Sequence, residues 1–194
     1  MNVPNKLTLI RIFIAFVFMG VLVSGIPLKG VLATLLFAAG CVTDYLDGKI
    51  ARDRNIVTDF GKLMDPLADK IMISAALITF VQLKDTHVPA WMVVVIIGRE
   101  FFVTGLRLLA ASKGRVIPAG RGGKNKIISQ IVAISVILLF LSAKEILTTF
   151  FKWDTRVDYY FGFISYILIF IAMVLSVLSG FFYFKKNKNL FIHE

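Results

Sequence analysis

The reading of this chain turns on residues 44 to 69: Asp44-Tyr-Leu-Asp47-Gly48-Lys-Ile-Ala51-Arg52, then eight residues, then Gly61-Lys-Leu-Met-Asp65-Pro66-Leu-Ala-Asp69. At about 100° per residue, Asp44, Asp47, Gly48, Ala51 and Arg52 share one helical face, acidic at one end and basic at the other. Asp65 and Asp69 are four apart. Asp65 ahead of Pro66 has the form of an N-cap with proline at the first helical position, which predicts a helix from Pro66 to about Leu83. Two successive helices thus each offer a carboxylate pair. Hard oxygen ligands of this kind suit Mg2+ or Mn2+, and two such cations can clamp a diphosphate while one oxygen attacks phosphorus and another leaves. Asp44, Asp47, Asp65 and Asp69 are therefore the candidate metal ligands. Gly48 and Ala51 leave room for a substrate or a neighbouring helix to approach the backbone, and Arg52 offers phosphate a forked donor. One Asp in a loop is usually a solvated charge. Four inside a largely apolar chain are not, because ionisable groups in membrane segments are costly and mark function.

Composition sets the surroundings of this stretch. Of 194 residues, 58% are hydrophobic and only 18% charged, with 18 Phe and a mean hydropathy of +0.82. That excludes an ordinary soluble domain and predicts an all-α integral membrane protein forming one domain over residues 1–194. The lone cysteine, Cys41, rules out a disulfide framework and a thiolate metal cluster, and reads as a small packing residue. A net charge of +10 suits anionic lipid heads, nucleic acid or phosphorylated substrates, and the interspersion of the basic residues among apolar runs favours lipids and phosphates over nucleic acid.

Six apolar runs follow in order. The first, Leu7 to Val23, is interrupted by Thr8 and Arg11; it could pass for a signal peptide or for a membrane anchor with a snorkelling Arg, but Arg11 argues for a retained first helix. A second runs from about Val31 into the aspartate stretch, with a polar loop from Asp53 to Thr58. A third runs from Pro66 to about Leu83, and His87, with no histidine near it, reads as a solvated loop residue. The fourth, Trp91 to about Ala111, carries Arg99, Glu100 and Arg107. The two arginines share a face and need Glu100, an aspartate or a ligand as partner. Residues 112–126 read as a flexible, phosphate-binding loop, with Lys113, Arg115, Arg121, Lys124 and Lys126 among glycines, but without the P-loop pattern. A fifth run covers about Ile127 to Leu141, a polar connector carries Trp153 at headgroup level, and the sixth runs from Tyr160 to Phe184. With both termini cytoplasmic, the inner segments hold thirteen Lys and Arg and the outer loops five, namely Lys29, Lys84, Lys144, Lys152 and Arg156. The expected architecture is six transmembrane helices around a polar cavity facing the cytoplasm.

The spacing D-x2-D-G-x2-A-R-x8-G-x3-D-x3-D, met at all eight positions from Asp44 to Asp69, resembles the signature of the CDP-alcohol phosphotransferases. Pro4-Asn5-Lys6-Leu7-Thr8-Leu9-Ile10-Arg11 resembles the opening segment of that family. Arg99-Glu100, Arg107 and Gly123-Lys124-Asn125-Lys126 resemble the acceptor-side positions of the branch that uses glycerol 3-phosphate, where a Thr often follows the second Lys; here that place is Ile127.

The resemblance implies transfer of the phosphatidyl group of CDP-diacylglycerol to sn-glycerol 3-phosphate, with release of CMP, in the cytoplasmic membrane. It implies two divalent cations, Mg2+ or Mn2+, on Asp44, Asp47, Asp65 and Asp69, with Asp69 also the general base. Asn5, Thr8, Gly48, Ala51, Arg52, Thr58 and Gly61 would line the CDP-diacylglycerol site, and Arg107, Arg115, Lys124 and Lys126 would hold the acceptor's phosphate. It also implies a possible homodimer. Three alternatives stay open: a sibling enzyme with serine or inositol phosphate as acceptor, an aspartate-rich prenyltransferase, and a non-enzymatic ion transporter. The basic loop argues against a neutral acceptor, the eight-residue spacer against prenyltransferases, and the lack of a second aspartate motif after residue 100 against an inverted-repeat transporter.

Overall fold

Apolar runs bounded by turn residues become helices in the computed structural model, which describes residues 3–53, 59–112, 122–150 and 154–187, and the side chains of all of these except 3–6, 45–53, 59–66, 69, 122, 149 and 150. The described residues form α1 (Val3–Val23), α2 (Lys29–Asp53), α3 (Asp59–Gln82), α4 (Ala90–Ser112), α5 (Gly122–Phe150) and α6 (Thr155–Asn187). A 3-10 turn at Lys84–Thr86 joins α3 to α4. No strand occurs among the described residues, so the all-helical expectation holds.

Several boundaries differ from the sequence reading, among them that of α6, which begins at Thr155 rather than at Tyr160. Helix α3 begins at Asp59, so Pro66 lies inside it and Asp65 is not its N-cap. Proline removes one backbone donor but is tolerated where neighbouring helices support the turn. The gain is register: Gly61, Asp65 and Asp69, each four residues on, lie on one continuous helical face. Helix α5 begins at Gly122, so Lys124 and Lys126 belong to a helix rather than to the basic loop. At its other end α5 continues to Phe150, which makes Lys144 and Glu145 helical as well.

Helix α1 packs against both α2 and α3, which touch each other little; α5 packs against α2 and α6, and α4 against α3 and α6. The core holds Phe18, Leu22, Leu77, Phe80, Met92, Ile96, Ile134, Ile137 and Ile169, with Ala33, Ala76, Ala133 and Ala172 letting backbones come close. The outward faces are also apolar: Phe13, Phe16, Leu35, Val94, Phe181 and Phe182 are each at least 60% exposed. A water-soluble domain does not present large apolar side chains on so many helices. Two segments, Gly123–Thr148 and Thr155–Asn187, are long and apolar enough to cross a bilayer, and Leu7–Val23 and Lys70–Gln82 are shorter apolar helices.

The end of the bundle away from the aspartates is tied by side chains. Glu145 Oε2 accepts the Gly30 backbone N–H at 2.7 Å, satisfying a donor in the first turn of α2. Thr34 and Ser142 share a hydroxyl contact of 2.8 Å across the same seam. Lys144 bridges Asp85 at 2.8 Å and Asp158 at 2.9 Å, fastening the 3-10 turn, α5 and α6. A Cβ at Gly30 would stand 2.9 Å from backbone atoms of Leu141 and Ser142, so α2 and α5 meet at a distance only glycine permits. Gly30→Leu is expected to force the seam apart and cost about 1–3 kcal/mol, the usual penalty of overpacking. Thermal unfolding in detergent measures it, and an unchanged midpoint would refute the close contact.

Candidate active site

The placement of α1 between α2 and α3 gives the aspartate stretch its shape. Arg11 interrupts an apolar run and is only 2% exposed; its Nη1 donates to Asp44 Oδ1 at 2.9 Å. A buried guanidinium requires an anionic partner, and Asp44, a candidate metal ligand, provides one. Arg11 therefore does not snorkel. It locks the first half of α1 to the second half of α2, and Thr8, one turn earlier, is fully buried beside it. The Asp44 side chain is 55% exposed. The pairing joins residues 33 positions apart, and the sequence signalled it only by a charge standing in an apolar helix.

Asp47, Gly48, Ala51 and Arg52 follow on α2, while Gly61, Asp65 and Asp69 lie on α3. Their helical register puts each set on one face. The side chains of these seven residues and of Asn5 lie outside the described residues, as do Thr58 and Arg115 altogether. Among the described side chains, no group of three or more His, Cys, Asp or Glu could hold a metal ion. Five residues separate the end of α2 from the start of α3, which keeps the two aspartate-bearing ends within about 20 Å of each other.

A second polar cluster stands beside the first. Lys70, next in sequence to Asp69, donates to Thr104 Oγ1 on α4. Thr104 Oγ1 donates in turn to the Glu100 carbonyl at 2.8 Å. The Glu100 carboxylate receives Arg99 Nη1 at 3.0 Å and, on the same Oε1, the ammonium of Lys126 from α5. Arg99 Nη2 reaches Ser179 Oγ on α6 at 3.0 Å. A Cβ at Gly180 would stand 3.0 Å from Arg99 Nε, so the glycine makes room for that side chain. Helices α3, α4, α5 and α6 thus converge on one network of charge.

The expected acceptor residues fare unequally. Lys126 is buried and ion-paired. Lys124 is exposed in the first turn of α5. Arg107 is exposed, with its guanidinium 5.4 Å from the Tyr183 ring centre, a cation–π contact. The described part of the set therefore occupies one end of α4 and α5 without closing on a single point. Lys70 and Ser179 were not legible as site residues, although a lysine directly after Asp69 in an apolar span was a usable signal. A cavity of about 320 Å3 lined by Lys29, Gly30, Lys84, Asp85, Lys144 and Glu145 lies at the other end of the bundle and belongs to neither cluster.

An aspartate motif split over two helices and flanked by buried cations suits transfer of a phosphorus-bound group from a lipid substrate. The chain belongs to the CDP-alcohol phosphatidyltransferase family, whose profile matches residues 1–180. It is 40% identical over 198 aligned residues to a CDP-diacylglycerol–glycerol-3-phosphate 3-phosphatidyltransferase of Bacillus subtilis, covering 96% of this chain and 95% of that one. A protein of the same name from Rickettsia bellii is 34% identical, with 98% and 97% covered. A probable phosphatidylglycerophosphate synthase of Mycobacterium tuberculosis is 43% identical over 144 residues, 73% of this chain and 68% of the relative.

Proposed function

We propose that this chain transfers the phosphatidyl group of CDP-diacylglycerol to sn-glycerol 3-phosphate, giving phosphatidylglycerophosphate and CMP. The observation that carries the reading is near full-length similarity to relatives named for that reaction, at 40% and 34% identity, in a chain that meets the aspartate spacing at every position.

The single domain lies in the cytoplasmic membrane as six spans, its apolar outer faces toward lipid and the aspartate ends of α2 and α3 toward the cytoplasm. The bias of Lys and Arg to that side supports the orientation. The diphosphate of CDP-diacylglycerol lies at the aspartate face, with Asn5, Thr8, Gly48, Ala51, Arg52, Thr58 and Gly61 around the cytidine and its neighbouring groups. Asp44, Asp47, Asp65 and Asp69 fit two divalent cations, Mg2+ or Mn2+: all donors are hard oxygens, and the Asp44 side chain stays 55% exposed beside its contact with Arg11. When bound, those ions neutralise charge on the diphosphate.

Asp69 takes the proton from the sn-1 hydroxyl of glycerol 3-phosphate. The freed oxygen bonds to the β-phosphorus of CDP-diacylglycerol, and the bond from that phosphorus to the bridging oxygen breaks, so CMP leaves with the bond's electron pair. Arg107, Arg115, Lys124 and Lys126 hold the acceptor's phosphate, and a second copy of the chain is a possible neighbour in the membrane.

The test uses purified protein in detergent with CDP-diacylglycerol, a divalent cation and, in turn, glycerol 3-phosphate, serine or inositol phosphate. CMP is expected with glycerol 3-phosphate alone. Release with another acceptor instead reassigns the substrate, and no release with any of them removes the enzymatic reading. EDTA is expected to abolish CMP release, and excess Mg2+ or Mn2+ to restore it. Turnover that survives chelation would rule out the metal site.

A further inference from the structure

We infer that Glu100 is a positioning residue for the acceptor's phosphate, acting through Lys126; the inference rests on the reaction proposed above. The Lys126 side chain is 7% exposed, and burying an ammonium without an anion is costly. Glu100 supplies that anion, but with one oxygen it also serves Arg99 at 3.0 Å. Two buried cations thus share one carboxylate, and one positive charge among these three side chains is left for a ligand to match. A phosphate carries that charge and accepts the remaining donors of an ammonium.

Glu100 is itself held. Its carboxylate is clasped by Arg99 at 3.0 Å, and Arg99 is anchored in turn by Ser179 at 3.0 Å. A lysine on a four-carbon stem has many rotamers, and fixing it during binding lowers affinity. Held by Glu100, the Lys126 ammonium is ordered before the phosphate arrives. Lys70, next to Asp69, joins α3 to α4 at Thr104, one turn along from Glu100, so the phosphate end of the acceptor is held close to the segment that carries the proposed base.

A double-substitution cycle tests this. Glu100→Gln is expected to raise KM for glycerol 3-phosphate about tenfold, with KM for CDP-diacylglycerol unchanged within about twofold. Lys126→Gln is expected to raise the same KM at least as much, and the double variant to be no worse than Lys126→Gln alone. Additive effects, a wild-type KM in Glu100→Gln, or loss of both substrates together, as a folding defect would give, each overturn the inference. Failure of the underlying reaction is seen separately, because unsubstituted protein would then release no CMP with glycerol 3-phosphate.

Discussion

Replacing Asp69 with asparagine is expected to lower CMP release by about 10²- to 10⁴-fold, the range contributed by a positioned general base. Asparagine keeps the shape of the side chain and removes its basicity and its charge. Asp69 lies well inside α3 and asparagine has about the same helix propensity as aspartate, so the melting temperature in detergent is expected to stay where it is. Measuring turnover and melting on one preparation separates the two properties. Substantial activity in Asp69→Asn would remove this residue as the base.

Asp44→Ala is expected to behave differently, because Asp44 has a structural partner in Arg11 beside its proposed role as a metal ligand. Turnover is expected to fall about 10²-fold or more, the scale on which losing one charge-stabilising group acts. Stability is expected to fall too, by about 1–3 kcal/mol, since Arg11 is buried and loses a hydrogen-bonded carboxylate. Added Mn2+ would recover part of the turnover and none of the stability contributed by Arg11. If Asp44→Ala melts like Asp69→Asn, the Arg11 contact does not hold α1 to α2.

The helices were legible because an apolar run in so hydrophobic a chain has one way to satisfy its backbone, which is to become helical. The resemblance that identified the family was carried by eight positions within 26 residues, so it needed no tertiary information. What escaped were features set by contacts between distant segments. Pro66 looked like a helix start because local rules place proline in the first turn, whereas α3 is continued backward to Asp59. Lys124 and Lys126 looked like loop cations because glycines precede them, yet α5 already begins at Gly122. The partner of Arg11 lies 33 residues away, beyond any periodicity. Glu100 was foreseen as a partner for the α4 arginines and pairs with Arg99, but its capture of Lys126 depends on how α4 and α5 meet.

Helix α1 has a consequence for the chemistry beyond the residues it contributes. Because α2 and α3 lie on either side of it and hardly meet, the girth of α1 at the level of Thr8 and Arg11 acts as a shim that sets the gap between the two helices carrying the proposed metal ligands. A bulkier residue on its inward side would widen that gap without touching an aspartate, and would spoil the grip on two small ions sooner than the grip on one. On the proposed reading, the tolerance of the reaction to metals of different radius would be set by a helix that carries none of the proposed ligands.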